Sequence, residues 1–253
     1  MLRVGTTRLG PNMPRITTIA LDADDTLWQN EQFFRLTEQR FADLLRDYTD
    51  APDLTERLIS ATARNLQFYG FGAKSFTLSM LETALEITEH RVPGTVIAEI
   101  IAAGRELLDY PLETLPYVDA ALEHLQHNYR LILITKGDLL DQERKLAASG
   151  LAEYFAAVEV VSDKTEPVYR RIFERHTEGA EHTIMAGNSL KSDVLPALAA
   201  GAFAAYVPHD LTWSYEHAEE PANEPRYARI AHLGELQQAI DRFESGETSR
   251  RKS

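Results

Sequence analysis

The chain contains no cysteine among its 253 residues. Disulfide bonds, thiolate metal sites and a cysteine nucleophile are therefore excluded. A sequence without cysteine is typical of a cytoplasmic protein, and we expect that location here. No uninterrupted apolar run approaches the ~20 residues that cross a bilayer, so we expect no membrane partner.

Basic residues are scarce relative to acidic ones. The chain has 26 Lys and Arg against 39 Asp and Glu, which gives a formal net charge of -13. A surface of this sign argues against a nucleic-acid partner or broad binding to anionic membranes. A small anionic ligand is still compatible, because one site can be locally positive. The oligomeric state stays open between a monomer and a homodimer.

Both ends of the sequence are polar. Residues 1–14 lack the apolar segment of a secretory signal, so we expect a flexible lead-in, with Met13 as an alternative natural start. Residues 247–253 predict a flexible tail.

The pattern of apolar residues predicts a sheet core interrupted by helices. The run Ile16–Leu21 predicts a buried strand, and helical spacing then continues from Glu31 to Tyr110 without a strand signal. From Tyr117 onward, helices and strands alternate, which is typical of a parallel sheet with helices on both faces. The later predicted strands are Leu131–Ile134, Val158–Val161, Thr183–Ala186 and Phe203–Val207, and the later helices are Val118–His127, Leu139–Ala148, Val168–His176 and Val194–Ala200.

Polar residues follow four of the predicted strands, at the edge where ligands bind in open α/β sheets. In strand order they are Asp22 and Asp24; Thr135 and Lys136; Lys164; and Asn188 and Asp193. Together they supply acids for a cation, a basic group for an anion, and hydroxyl and backbone donors. Phosphoryl transfer to a carboxylate requires such a combination.

Asp22 and Asp24 are the most informative pair. With Asp25 they place three acids at the end of an apolar strand, where like charges repel unless a cation or a proton lies among them. Each motif alone has an ordinary structural interpretation as a turn, a helix cap or a surface lysine. Their order along the chain, each at a strand end, favours a functional site. We expect Asp25 to cap a helix or to point away.

These residues resemble the haloacid dehalogenase-like (HAD) superfamily over about residues 15–210. The run Asp22–Thr26 is similar to its first motif, Thr135 to the second, Lys164 to the third, and Gly187–Asp193 to the fourth. The resemblance implies a Rossmann-like doubly wound α/β core over residues 15–28 and 111–246. It also implies an α-helical cap of the C1 type over residues 29–110, as in the phosphatase branch of the superfamily.

Four positions depart from the common family pattern. Asp25 stands where glycine is common, Lys136 where asparagine is frequent, and Asn188 where aspartate is common. The Asn188 substitution leaves one fewer negative charge at the expected metal but keeps an oxygen donor. Lys164 is followed by Thr-Glu-Pro, whereas many relatives place proline directly after the lysine.

The resemblance implies an Mg²⁺-dependent phosphatase that acts on a small phosphorylated metabolite. Asp22 would attack phosphorus and form an aspartyl-phosphate, and Asp24 would act as general acid and then as general base. Mg²⁺ would be held by Asp22, the main-chain carbonyl of Asp24, and Asn188 or Asp193. The expected phosphate-binding residues are Thr135, Lys136 and Lys164.

Three alternatives stay open: a phosphomutase, a 2-haloacid dehalogenase, and a non-catalytic relative that binds a phosphorylated ligand. Family dehalogenases lack the acid two residues after the nucleophile, because a halide leaves without a proton. Asp24 therefore favours the phosphatase over the dehalogenase.

Substrate identity is not encoded in these motifs. Trp28, Asn30 and Glu31 could reach a leaving group. For the remaining candidates we expect a purely structural role. Phe33 and Phe34 should pack in a core, Arg64 and Lys74 should be exposed cations, and Trp213–Tyr227 should form a surface loop.

Overall fold

The computed structural model describes residues 15–246. The expected flexible segments, 1–14 and 247–253, lie outside the described residues. Within residues 15–246, no helix combines the length and the apolar character needed to cross a membrane.

In this described part of the chain, six parallel strands form one sheet in the order β3-β2-β1-β4-β5-β6. The strands are β1 (Thr18–Leu21), β2 (Arg130–Lys136), β3 (Ala157–Val161), β4 (Thr183–Gly187), β5 (Phe203–Tyr206) and β6 (Tyr227–Arg229). The chain moves from β1 outward to β3 on one side and from β4 outward to β6 on the other. The strand order therefore reverses between β1 and β4, which is where α/β sheets open a ligand crevice.

Helices cover both faces of this sheet. The helices are α1 (Glu31–Leu45), α2 (Ala51–Tyr69), α3 (Ala73–Ile87), α4 (Gly94–Asp109), α5 (Val118–Leu125), α6 (Leu139–Ser149), α7 (Glu166–His176), α8 (Leu195–Ala199) and α9 (Leu236–Ser245). Side chains alternate along each strand, so Ile19 and Leu21 pack with α5 and α9, whereas Ala20 packs with α7 and α8. The structure confirms the predicted Rossmann-like α/β fold.

Helices α1–α4 pack around a hydrophobic cluster of their own, separate from the clusters on the sheet. Phe41, Leu58, Met80 and Ile100 lie at its centre. We refer to these four helices as the helical insertion, because they lie between β1 and β2 in the sequence.

The helix predicted over Val194–Ala200 differs from the observed one. A π-helical turn, Leu190–Val194, comes first, and α8 follows. The cap is Ser189, whose side chain accepts a hydrogen bond from the Ser192 N–H at 2.9 Å. Pro196 lies in the first turn of α8, where proline is tolerated.

Two elements, β6 and α9, go beyond the sequence prediction. Strand β6 has three residues, too few for a periodic signal. Helix α9 does carry such a signal, because its buried Leu236, Ala239, Ile240 and Phe243 follow helical spacing. The other elements predicted after the insertion end within two residues of the observed bounds.

Candidate active site

A pocket of about 160 Å³ lies between the carboxyl edge of the sheet and the helical insertion. It has two walls of different character. The strand-end wall contains Asp22, Thr135, Lys164, Asn188 and Asp193. The helical wall contains Phe34, Leu58, Ile59, Leu66, Phe71 and Phe76. The structure therefore brings the sequence-predicted site residues to one pocket.

Asp22, Lys164 and Asp193 form a buried ionic network at the base of the strand-end wall. The Lys164 ammonium donates to Asp22 Oδ1 and, at 2.7 Å, to Asp193 Oδ1. Burial and the charge of Asp193 raise the pKa of Asp22 to about 7, although Lys164 opposes this shift. Burial alone would lower the pKa of Lys164, but the charges of Asp193 and Asp22 raise it. Lys164 therefore stays protonated between the two carboxylates.

Thr26, to which the sequence analysis assigned no role, orients Asp22. Its hydroxyl donates to Asp22 Oδ2 at 2.9 Å and accepts the Asn188 N–H at 3.0 Å. One threonine thus joins the turn after β1 to the turn after β4. The only sequence signal for this role is its place in the first motif.

Gly187 permits the close approach of Asp193 to the end of β4. A Cβ at position 187 would lie 2.3 Å from Asp193 Oδ2, closer than real Cβ atoms come to other heavy atoms. The Ser189 N–H donates to the same oxygen at 2.9 Å. Glycine at this position therefore holds the Asp193 carboxylate back against the strand end.

Asp24 lies in a different electrostatic environment from Asp22. Its carboxylate accepts hydrogen bonds from Trp28 Nε1 at 2.8 Å, Gln142 Nε2 at 2.8 Å and Lys145 Nζ at 3.0 Å. Burial would raise the pKa of Asp24, but the charge of Lys145 and these hydrogen bonds lower it. Two acids that are two residues apart are thus shifted in opposite directions.

Lys145 and Gln142 were not among the sequence-predicted site residues. Both lie on α6, which begins soon after the carboxyl end of β2. Side chains in the first turns of such a helix lean toward its N-terminus and so toward the strand ends. Lys145 also donates to Asn30 Oδ1 at 2.8 Å, which links α6 to the start of the helical insertion. The sequence signal that could have identified Lys145 and Gln142 is the place of α6, which directly follows a strand whose end lies at the site.

Asp25 caps the first helix of the insertion. We expected it either to cap a helix or to point away. Its carboxylate accepts the N–H groups of Asn30 at 2.9 Å and Glu31 at 3.0 Å. Its φ of 60° lies in the left-handed region, which explains why glycine is common at this position.

Lys136 is directed to a carboxylate that the sequence analysis did not assign to the site. Its ammonium is bound by Glu216, donates to Ser192 Oγ at 2.8 Å and lies 4.0 Å from the centre of the Phe71 ring. Ser189 Oγ also donates to Glu216, at 2.6 Å. A contact of the Lys136 side chain with phosphate stays a prediction.

The segment Trp213–Tyr227 contributes more than the expected surface loop, because Trp213 and Glu216 line the pocket. The Trp213 ring makes an edge contact with Phe71 at 6.2 Å between centroids. The expectation of a plain surface loop is wrong for these two residues.

The other specificity candidates divide into two groups. Asn30, Glu31 and Phe34 line the pocket. Outside the pocket lining, Phe33 stacks on Tyr110, Arg64 pairs with Glu86 at 2.9 Å, and Lys74 pairs with Asp138 at 2.9 Å. Trp28 is fully buried, with its indole N–H on Asp24.

The donor set on the strand-end wall fits Mg²⁺. Within residues 15–246, no three His, Cys, Asp or Glu side chains are grouped as a metal cluster. The expected set instead combines the carboxylate of Asp22, the main-chain carbonyl of Asp24, and either the amide oxygen of Asn188 or the carboxylate of Asp193. These are hard oxygens, and Mg²⁺ usually keeps several waters beside a few protein ligands. Burial raises the pKa of Asp22 most, and the negative charge of Asp193, which a cation would balance, raises it further.

Comparison with known proteins gives a consistent result. The family model for haloacid dehalogenase-like hydrolases matches residues 16–201. A haloacid dehalogenase-like family hydrolase from Xanthomonas campestris is 36% identical, with a TM-score of 0.81, over 92% of this chain and 97% of that one. Comparison with curated protein sequences finds no match.

Two more distant structures show the same fold. The magnesium-bound HAD-hydrolase YfnB from Bacillus subtilis is 20% identical, with a TM-score of 0.62, over 90% of this chain and 99% of that one. A 2-haloacid dehalogenase from Pseudomonas syringae pv. Tomato DC3000 gives the same identity, TM-score and coverage. From the family model and the Xanthomonas structure, the chain belongs to the haloacid dehalogenase-like hydrolases.

Proposed function

We propose that this hydrolase is an Mg²⁺-dependent phosphatase that cleaves a small phosphorylated metabolite through an aspartyl-phosphate. The observation that carries the proposal is Asp24, a second carboxylate at the pocket two residues after Asp22. An alkoxide leaving group needs a proton, whereas a halide does not. A carboxylate at this position therefore has a use in phosphate ester hydrolysis that it lacks in dehalogenation.

In the first step, an Asp22 carboxylate oxygen attacks phosphorus and the bond from phosphorus to the ester oxygen breaks. The Thr26 hydroxyl and the Lys164 ammonium hold the Asp22 carboxylate from two sides, which fixes the direction of attack. The leaving oxygen takes a proton from Asp24. The negative charge of a bound phosphate next to Asp24 favours the protonated form that this step needs.

In the second step, water attacks the aspartyl-phosphate and restores the Asp22 carboxylate. Asp24 takes the proton of that water. Hydrogen bonds from Lys145 and Gln142 favour the ionised form of Asp24, which is the form of a general base. One side chain thus serves both steps, and the covalent route divides a difficult displacement into two easier ones.

Phosphate oxygens would be bound by Lys164, the Thr135 hydroxyl and backbone N–H groups near Ala23 and Lys136. When bound, Mg²⁺ supplies further positive charge where negative charge develops on the transferred phosphoryl group. Asp22, Asp193, Asn188 and the carbonyl of Asp24 would hold it. Magnesium in the YfnB structure, which shares this fold, supports the choice of metal.

The helical insertion would act as the cap of this site. It supplies the apolar wall opposite the strand ends, and a closed apolar wall excludes water from the reacting group. The Phe71 ring, which contacts Lys136 and Trp213, connects the insertion to the core at the pocket.

The test is a turnover assay of the purified protein with several phosphate esters, with and without Mg²⁺. We expect free phosphate and a requirement for the metal. Halide release from 2-chloropropionate without metal would instead identify a dehalogenase. An isomerised sugar phosphate without free phosphate would identify a mutase. Binding of esters without turnover would identify a non-catalytic relative.

A further inference from the structure

The helical wall offers an apolar surface to the leaving group. Leu58, Ile59 and Leu66 come from α2, Phe34 from α1 and Phe76 from α3. Such a surface favours the carbon skeleton of a ligand, because water leaves both surfaces on contact. It offers little to a strongly hydrated ionic group.

Polar atoms without a partner are concentrated at this pocket. Within residues 15–246, six buried side-chain oxygen or nitrogen atoms lack a hydrogen-bond partner, and Thr62 Oγ1, Ser75 Oγ and Gln142 Oε1 belong to residues of the pocket lining. Ser75 is only 3% exposed. Buried polar atoms are nearly always paired in folded proteins, so each of these three can take a hydrogen-bond partner that a ligand brings. Gln142 Oε1 can only accept, whereas the two hydroxyls can donate or accept, and a hydroxyl group satisfies any of them.

Within the described part of the chain, the charges of the pocket lining leave no free cation for a second anionic group. Among described residues of the lining, the three basic side chains are Lys136, Lys145 and Lys164. Each is bound to a carboxylate: Lys136 to Glu216, Lys145 to Asp24, and Lys164 to Asp22.

On the helical side, the charged residues of the lining are acidic. Glu31 and Glu38 both belong to the pocket lining, and Arg35 pairs with them at 3.0 and 3.3 Å without lining the pocket itself. A carboxylate on the leaving group would therefore find no cationic partner among the described lining residues of this side, and a cationic group would find both acids already paired with Arg35.

The size of the pocket limits the leaving group. A cavity of about 160 Å³ is close to the ~150 Å³ that holds one benzene ring in an engineered protein cavity. The phosphoryl group takes part of this space. The part of the leaving group that the pocket encloses is therefore at most about as large as one six-membered ring.

From these observations, we propose that the substrate is the phosphate monoester of a small uncharged alcohol with an apolar face and one further hydroxyl group. The inference rests on the phosphatase function proposed above and names the substrate class of the same site. The apolar face would contact Leu58 and Phe76, and the second hydroxyl would bond to Ser75 or Thr62.

The first experiment compares kcat/KM for esters of similar size with Mg²⁺ present: propyl phosphate, 3-hydroxypropyl phosphate, phosphoglycolate and phosphoethanolamine. We expect 3-hydroxypropyl phosphate to be best and phosphoglycolate to be at least about tenfold worse, because its carboxylate lacks a partner. A preference for phosphoglycolate or phosphoethanolamine would overturn the inference. Acetyl phosphate serves as a reference for the reaction itself. If neither it nor any ester is hydrolysed, the phosphatase function fails as well.

The second experiment tests the hydroxyl contact with Ser75→Ala. We expect kcat/KM for 3-hydroxypropyl phosphate to fall about three- to tenfold relative to that for propyl phosphate, because only the former loses a hydrogen bond. Loss of a purely structural contact would lower both values alike. Equal changes for the two esters, with Thr62→Val giving equal changes too, would contradict the assigned contact.

The third experiment tests the charge argument with Ile59→Lys, at a side chain of the lining that is 44% exposed and can accommodate a lysine. We expect activity on phosphoglycolate to rise about two- to fivefold relative to propyl phosphate. Ile101→Lys, on α4 and outside the lining, is the matched control for a change in net charge. The same shift in both variants, or none in Ile59→Lys, would count against the inference.

Discussion

The two walls of the pocket differ in how their polar side chains are held. On the strand-end wall, Asp22, Lys164 and Asp193 are already bonded to one another. On the helical side, the hydroxyls of Thr62 and Ser75 have no partner within residues 15–246. A preorganised ionic wall suits the phosphoryl group, which every phosphate ester shares. A wall with unpaired hydroxyl groups suits the leaving group, which differs between esters.

The largest expected effect comes from the nucleophile on the strand-end wall. Asp22→Asn should lower phosphate ester hydrolysis by at least about 10³-fold, because an amide cannot form the aspartyl-phosphate. Lys164 keeps Asp193 as a partner, so the circular dichroism spectrum and melting temperature should stay close to those of the unmodified protein. Asp109→Asn, at an exposed acid on α4, is the control. Near-normal activity in Asp22→Asn would rule out this nucleophile.

The next effect concerns the proton that the leaving oxygen takes. Asp24→Asn should lower kcat by about 10²- to 10⁴-fold for an alkyl phosphate, and by much less for 4-nitrophenyl phosphate. The difference arises because nitrophenolate leaves readily without a proton. Steady-state rates for the two esters give the ratio. Equal losses would show that Asp24 acts by some means other than acid catalysis.

A stability measurement tests whether the strand-end wall depends on its internal cation. Lys164→Met leaves the carboxylates of Asp22 and Asp193 buried and unpaired, and should lower the free energy of unfolding by about 3–5 kcal/mol. Urea denaturation at neutral pH measures this change. Arg105→Met, at an exposed position of α4, should change stability by less than about 0.5 kcal/mol. Similar values for both variants would mean that the network contributes little.

The smallest expected effect lies where the two walls meet. Phe71→Leu removes ring contacts with Lys136 and Trp213. These contacts are worth on the order of 1 kcal/mol together, so KM should rise about tenfold or less with kcat nearly unchanged. Initial rates over a range of ester concentrations separate the two constants. A large fall in kcat would show that Phe71 takes part in the chemical step. The helical wall would then not be limited to binding the leaving group.

The same contrast explains what the sequence could reveal. Asp22, Thr135 and Asn188 stand directly after or at the end of parallel strands, and the register of such strands aligns their ends at one edge. Strand periodicity therefore predicted their meeting. Lys145 and Glu216 were missed because their contacts depend on the path of α6 and of the segment after β5. Periodicity within a single segment carries no information on such paths.

On the helical wall, the sequence predicted amphipathic helices but not which apolar side chains turn to the pocket. Phe33 and Phe34 are adjacent and chemically identical, yet Phe33 stacks on Tyr110 while Phe34 lines the pocket. Packing between helices decides this difference. A position on one helix is not enough to predict it.

The central place of β1 in the sheet has a consequence for folding during synthesis. Strand β1 emerges first during synthesis, but Thr18 pairs with Thr183 on one side and with Arg130 on the other. One edge of this apolar strand therefore has no partner until the chain has been made through β4. Unpaired strand edges invite association with other chains, and such long-range pairings form slowly. A nascent chain that stops before β4 should thus be both inactive and prone to aggregation.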